Sequence, residues 1–320
     1  MFRYVLPLVI SYLCVYVLIP IVKRWANQYH IVDEPTKRKQ HKDTIPLTGG
    51  IAIFLGVNFL LFIFLGFHRM TWLFFIGSLL VVGVGVLDDW YKGRQKELSP
   101  WPKLLVQFLT ATLVYWGGTR IVGVTHWFGS GGEENFWLFP HWLAFLATCL
   151  WIVGIMNMFN FIDGMDGLAA GVSIFVTLTL FFISFLKGEL TIALCAMILT
   201  GGILAFLRHN FHPASIFLGD AGALFLGFSV AFLSVEGAMK GATLITFVVL
   251  ILAMGVPVFD TLQVILTRLK EGRPIYVADR SHLHHRLLSL GLNQRQVIVI
   301  LYLIGIGLSI TSVLLFFIFG

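Results

Sequence analysis

Residues 142–186 read WLAFLATCLWIVGIMNMFNFIDGMDGLAAGVSIFVTLTLFFISFL. Two apolar runs, 142–158 and 168–186, flank a short turn that carries Asp163 and Asp166 beside glycines. A helix crosses the hydrocarbon of a bilayer with about 20 apolar residues, so each run predicts a span and the turn predicts a membrane face. The same rule, worked outward, predicts ten spans: 5–22, 49–66, 72–87, 104–118, 142–158, 168–186, 191–207, 221–235, 242–266 and 297–319. Of these, 221–235 is among the shortest. No strand alternation of the kind a barrel needs is present. The expected fold is therefore all-α: a polytopic membrane helix bundle, one integral domain over residues 1–320.

Composition agrees. The chain is 58% hydrophobic and 15% aromatic but only 12% charged, about half the charge of an ordinary soluble domain. So little charge does not cover a soluble globule, and 30 Phe and 9 Trp exclude a disordered chain. Cys14, Cys149 and Cys195 all lie in apolar runs, which argues for packed thiols rather than a disulfide framework. The first apolar run is too long for a cleaved signal and lacks a small-x-small site after it.

The net charge is +6. Sorted by loop, 17 of the 22 Lys and Arg fall on one side of the predicted bundle, which the positive-inside rule makes cytoplasmic. Ten spans then place both termini outside. Twelve of the 16 Asp and Glu share the cytoplasmic side. Acids contribute little to orientation, so their gathering there predicts a polar site. The long outer connection, 119–141, mixes glycines with Trp127 and Trp137, with Trp142 just past its end, and reads as a passive interfacial anchor.

Four clusters lie on the acid-rich side. The first is Asp88-Asp89, two adjacent carboxylates at the end of an apolar helix. They repel each other there and face the negative end of the helix dipole, unless a cation or proton joins them; the plainer alternative is two solvated acids neutralised by Lys92 and Arg94. The second is Asn157, Asn160, Asp163 and Asp166, spaced by three. On a helix they form one polar stripe, an oxygen-rich site for a hard cation; the alternative is an ordinary Asn/Asp/Gly turn. The third is Phe217-Leu-Gly219-Asp220, where Asp220 either caps a helix or, with the aromatic, helps to hold a base and a metal. The fourth is Arg280-Ser-His282-Leu-His284-His285-Arg286. It lacks the usual spacing of a zinc site and suits an anion better, because its side chains donate to phosphate oxygens. Carboxylates for Mg²⁺, cations for phosphates and an aromatic are together the parts of phosphoryl transfer. A secondary transporter is the competing class, but transporters place acids near the midplane and show paired repeats. Here Asp260, after Pro257, is the one deeper acid. A structural scaffold would have no use for the four clusters.

In their order and shared side, Pro46-Leu-Thr-Gly-Gly50, Leu87-Asp-Asp-Trp90, Asn157 to Gly167, Ile216-Phe-Leu-Gly-Asp-Ala-Gly222 and His282-Leu-His-His285 resemble the polyprenyl-phosphate N-acetylhexosamine-1-phosphate transferases. The His-x-His-His form, with Pro257-Val-Phe-Asp260, is similar to the bacterial branch that uses UDP-GlcNAc. It is less similar to the phospho-N-acetylmuramoyl-pentapeptide branch, which carries three consecutive histidines where Leu283 interrupts here. Members of the first branch are often drawn with eleven spans, so an eleventh merged into the ten is the alternative count.

The resemblance implies transfer of GlcNAc-1-phosphate from UDP-GlcNAc to undecaprenyl phosphate, giving undecaprenyl-pyrophosphoryl-GlcNAc and UMP with Mg²⁺ or Mn²⁺. That would be the first membrane step of teichoic acid or O-antigen synthesis. It implies a multi-pass bacterial plasma-membrane protein with a cytoplasmic active site, and a second copy of the chain as a partner, since dimers occur in the family. It implies Asp220 as metal ligand with Asn160 as the second, and Asp88 or Asp89 binding or deprotonating the lipid phosphate. Asp163 would support the metal and phosphates, Phe217 would stack on uracil, and Asp166 would meet its edge. His282, His284, His285 and Arg286 would grip the pyrophosphate or sugar, and Lys103 a phosphate. A phosphomonoester is already a nucleophile, which favours direct attack over a covalent aspartyl intermediate.

Overall fold

The computed structural model describes residues 2–34, 44–96, 98–125, 136–238, 244–270, 272 and 282–319. The helices are α1 (Phe2–Tyr29), α2 (Gly49–Leu65), α3 (Arg69–Lys92), α4 (Pro100–Trp116), α5 (His141–Ile162), α6 (Leu168–Leu186), α7 (Leu190–Asn210), α8 (Gly219–Leu233), α9 (Leu244–Ala253), α10 (Gly255–Lys270), α11 (Leu283–Ser289) and α12 (Gln294–Phe319). A π-helical turn, Ser234–Ala238, continues α8. Two short antiparallel ribbons, β1–β2 (Val32–Asp33 with Ile45–Pro46) and β3–β4 (Gly123–Thr125 with Phe136–Leu138), close loops at the helix ends.

Each predicted apolar run contains a helix among its described residues, and the chain is an all-α membrane protein. Seven helices are long and apolar enough to cross a bilayer: α1, α3, α5, α6, α7, α8 with its π turn, and α12. The bent pair α9–α10 makes eight if it is one span. The predicted count of ten exceeds this by α2 and α4, each 17 residues and so about 25 Å long at 1.5 Å per residue.

The bundle is organised around α8. From Ala221 to Leu233 every residue is buried, so the helix is apolar all round because it has no lipid-facing side. Helices α2, α3 and α5 pack on it. The π turn extends it far enough to cross, and it is the most buried of the seven spanning helices. Close approach at one end depends on glycine. A Cβ on Gly50 would stand 2.1 Å from Cα of Gly222, and one on Gly85 2.4 Å from Cα of Ala221. The amides of Gly49 and Gly50 donate to the carbonyls of Phe217 and Leu218, and the Phe217 amide donates to Pro46. The Pro46–Gly50 segment is thereby stitched to the entry of α8.

The predicted single span 242–266 is corrected: it breaks after Ala253, and α10 leaves α9 at 83°. The cause is Pro257. Its nitrogen has no hydrogen to give the carbonyl of residue 253, and its ring clashes there, while Met254 and Val258 still donate four residues back. The histidine segment, expected as loop, forms α11 from Leu283 onward. In the outer connection and just past its end, Trp137 and Trp142 are exposed, and Trp127 lies outside the described residues. The three cysteines are free.

Gly50→Ala is expected to destabilise the bundle by about 1–3 kcal/mol, the usual range for overpacking. Thermal unfolding in detergent would read this as a lower Tm than that of an alanine placed at exposed Leu55.

Candidate active site

Four helices meet at the site: the last turns of α3, the first turn of α4, the end of α5 and the start of α8. The sequence sets each end. Ser99 and Pro100 start α4 and leave Lys103 on its first turn. Gly219, at φ +72°, turns the chain into α8 with Asp220 next. Helix α3 runs on past the predicted 87, so Asp88, Asp89 and Lys92 are all helical.

The two adjacent aspartates divide their work. Asp89 is 1% exposed. Its Oδ1 accepts the amide of Asp220 at 2.8 Å and its Oδ2 that of Ala221 at 3.1 Å. The first amides of a helix have no partner within it, and a carboxylate is favoured at that end of the dipole. Asp89 is thus a cap for α8 supplied by α3. A Cβ at position 219 would stand 2.6 Å from its Oδ2, so glycine there is a matter of space as well as φ.

Asp88 joins a different group. Its Oδ2 accepts from Nζ of Lys103 at 2.8 Å and lies 3.4 Å from Nζ of Lys92, four residues on. Asp220 Oδ2 pairs with Lys92 at 2.7 Å and also with Lys103. Asp220 Oδ1 accepts from Nδ2 of Asn160 at 3.1 Å. Two carboxylates therefore share two ammonium groups. The charge is balanced, which answers the repulsion expected of neighbouring acids. Arg94 is not part of this balance, because its guanidinium lies over the Trp90 ring at 3.7 Å. Lys92, read from sequence as a neutraliser, is a full member of the group; its i,i+4 spacing from Asp88 was the available signal.

The Asn/Asp stripe is helical only in its first half. Asn157 donates to Gln107 of α4 at 2.7 Å, one turn below Lys103, and Asn160 reaches Asp220. Helix α5 ends at Ile162, so Asp163 and Asp166 lie in the turn. Asp166 Oδ2 accepts the Ala214 amide at 3.1 Å and sits 2.9 Å from His212 Nδ1. Asn210 spans the same two loops, accepting from the Gly167 amide and donating to the Ile216 carbonyl, both at 2.9 Å. From α12, the Tyr302 hydroxyl donates to the Gly167 carbonyl at 2.6 Å. Sequence reading assigned no role to His212, Asn210 or Tyr302, since the contact each makes with the Asp166–Gly167 turn comes from a distant part of the chain.

The histidines form a second wall. His282, His284 and His285 lie at the start of α11, with ring centres 5.6 Å apart for the first pair and 4.3 Å for the second. His284 is buried against the α5–α6 turn, its Nε2 2.6 Å from where a Gly164 Cβ would stand. Burial, and then the neighbouring His285, push its pKa down to about 4. At neutral pH it is uncharged, so the expected grip on an anion does not come from a charge on His284. Phe217 is half-buried, its backbone fixed by Pro46 and Gly49, and Arg286 is exposed. Arg280 lies outside the described residues.

Among the described residues, no three His, Cys, Asp or Glu side chains converge as a ready-made metal cluster. The donors that do converge are Asp88, Asp220 and Asn160. Mg²⁺ is commonly held by one or two carboxylates with substrate phosphates completing its shell, and this set suits that kind of binding.

Two consequences are measurable. Asp163 is held by burial, and next by Asp220, with its pKa raised to about 8, Lys92 opposing the shift. An aspartate in an unfolded chain titrates near 3.9. The protonated form therefore favours the fold; that contribution is fully present below about pH 4 and is lost as pH rises through about 8. Asp163→Asn mimics the protonated form. In EDTA, its Tm is expected to gain on the wild type between pH 5 and pH 9, and a constant difference would contradict this. Asp89→Ala leaves two buried amides without acceptors and is expected to cost about 1–3 kcal/mol per lost partner. Asp88→Asn leaves Lys92 and Lys103 paired with Asp220 alone and is expected to lower Tm by less than Asp89→Ala does.

The sequence has counterparts among known proteins. The model of glycosyl transferase family 4 matches residues 71–238, from α3 through the π turn. A "probable undecaprenyl-phosphate N-acetylglucosaminyl 1-phosphate transferase" of Bacillus subtilis (strain 168) is 39% identical over 317 residues, 98% of this chain and 86% of the relative. A decaprenyl-phosphate N-acetylglucosaminephosphotransferase of Mycobacterium tuberculosis (strain ATCC 25618 / H37Rv) is 30% identical, over 88% of this chain and 75% of its own. An undecaprenyl-phosphate alpha-N-acetylglucosaminyl 1-phosphate transferase of Escherichia coli (strain K12) is 26% identical, over 91% and 78%. With that much of its length matched, and with the acids and lysines of α3, α4 and α8 gathered at one end of the bundle, this chain belongs to glycosyl transferase family 4.

Proposed function

We propose that this chain transfers GlcNAc-1-phosphate from UDP-GlcNAc to undecaprenyl phosphate. An oxygen of the lipid phosphate attacks the phosphorus that bears GlcNAc, the bond from that phosphorus to the bridging oxygen breaks, and UMP leaves. The product, undecaprenyl-pyrophosphoryl-GlcNAc, begins a cell-envelope polysaccharide of the teichoic acid or O-antigen type. The observation that carries the reading is the Asp88–Lys103–Asp220–Lys92 group with Asn160 alongside: charged partners for two phosphates at the end of a membrane bundle. The names of the relatives support GlcNAc as the sugar and a polyprenyl phosphate as the acceptor, and they do not favour the muramoyl-pentapeptide branch.

The residue roles follow from the contacts. Asp88 is the better choice of the two aspartates to bind or deprotonate the lipid phosphate, because both Asp89 oxygens are engaged by α8 amides. Asp220 and Asn160 would hold Mg²⁺ or Mn²⁺, which when bound neutralises charge on the pyrophosphate. Lys103 and Lys92 then turn to phosphate oxygens, as point charges that need no fixed fork. Phe217 offers its ring to uracil and Asp166, steadied by His212, meets the base edge. Asp163 supports the phosphates, and His282, His285 and Arg286 face the pyrophosphate or sugar, with His284 as their packed support.

The site is assigned to the cytoplasmic side by the distribution of Lys and Arg, in a bacterial plasma membrane. We count α2 and α4 as short crossings, giving ten. Supporting this, α4 exposes Trp101 and Trp116 at its two ends, 73% and 77%, as a helix anchored at both interfaces does.

Purified protein is expected to release UMP from UDP-GlcNAc only with undecaprenyl phosphate and a divalent cation present. Release without the lipid, or none with it, would sink the reading. Asp220→Ala is expected to abolish turnover. Offering UDP-GlcNAc and the muramoyl-pentapeptide nucleotide in parallel is expected to give product from the first alone.

A further inference from the structure

Asp260 is a buried acid that this account leaves unused. Asp260 lies on α10, just past the bend, with its side chain 3% exposed. Its Oδ2 is 2.7 Å from His282 Nδ1, and its Oδ1 accepts the Leu283 amide at 2.6 Å. The same carboxylate therefore fixes the first histidine of the segment and caps the helix that carries the other two. His282 is also fixed from the sides, by Phe161 of α5 with ring centres 6.1 Å apart and by the stacked His284 ring. Its Nε2 has no hydrogen-bond partner among the described residues.

We propose that Asp260 is a positioning residue for the transfer reaction: it accepts a hydrogen bond from Nδ1–H of His282 and so presents the Nε2 lone pair as an acceptor to a hydroxyl group of the nucleotide sugar. The inference rests on the function proposed above. A histidine has two ring nitrogens, and the partner of one decides what the other offers. A carboxylate only accepts, so it selects the ring with hydrogen on Nδ1 and holds the plane of the imidazole. The same logic governs a carboxylate behind a catalytic or metal-bound histidine. The bend at Pro257 serves this arrangement, because it turns Asp260 out of the line of α9 and into contact with α11.

Asp260→Asn separates orientation from capping. The asparagine oxygen still accepts the Leu283 amide, but its NH₂ now faces Nδ1 and favours the opposite tautomer. The variant is expected to lose about 10–100-fold in kcat, the usual cost of removing a supporting partner, with Tm and the KM for undecaprenyl phosphate near wild type. In a His282→Gln background the same change is expected to cost less than about twofold, since it acts through the missing ring. Equal losses in both backgrounds, or full activity of Asp260→Asn, would overturn the proposal. Nitrogen-15 NMR of histidine-labelled protein, with His282 assigned by His282→Gln, reads the tautomer without turnover. Hydrogen on Nδ1 in the wild type and on Nε2 in Asp260→Asn is expected; an unchanged spectrum would reject the contact. A wild type that shows the tautomer but releases no UMP would count against the function and not against the pair.

Discussion

The carboxylate of Asp89 and the two amides it accepts hold the rest in register. Helix α8 is buried on every side, and its first amides would be left without acceptors in an apolar bundle, where each orphaned group is costly. Asp89 supplies the acceptors from α3, across more than 130 residues of chain. Because it is one residue from Asp88, fixing Asp89 also fixes the direction of Asp88. Because it binds the amide of Asp220, it also fixes where that carboxylate starts. One buried clamp thereby sets the separation of the two acids that face the lysines.

The electrostatics of the site follow from that separation. Asp88 and Asp220 are held close enough that each needs a cation, and Lys92 and Lys103 arrive from two different helices to supply it. In a low-dielectric setting such a group is stable only when complete. Under the proposed function, incoming phosphates and a divalent cation would exchange partners within it without leaving net charge stranded. The raised pKa of Asp163 belongs to the same balance, since a further negative charge beside Asp220 is resisted unless a proton or cation accompanies it.

Much of this was legible in the chain. Span 168–186 coincides with α6 at both ends, and Asp88, Asn160 and Asp220 from three of the acid clusters meet at one end of the bundle. Hydropathy sums apolar character but carries no direction, so the run 242–266 reads as one straight span although Pro257 turns it by 83°. Adjacent Asp88 and Asp89 look equivalent in sequence. They differ only through a helix that arrives from residue 219. Spacing by three correctly aligned Asn157 with Asn160, but it assumed a helix that ends at Ile162, so Asp163 and Asp166 serve other partners. His212, Tyr302 and Asp260 each act on something distant in the chain, and no local pattern reports that.

The burial of α8 on all sides also bears on how such an enzyme changes over time. A helix without a lipid face offers few positions where a substitution is neutral, and its glycine contacts with α2 and α3 leave little room for even a methyl group. The acids and lysines at its head are therefore tied to a frame that resists drift. The short α11 is different: His284 is its one buried residue, and one carboxylate attaches it to a bent helix. Variation in which sugar nucleotide is accepted has its least obstructed route there, in the periphery around a fixed reaction centre.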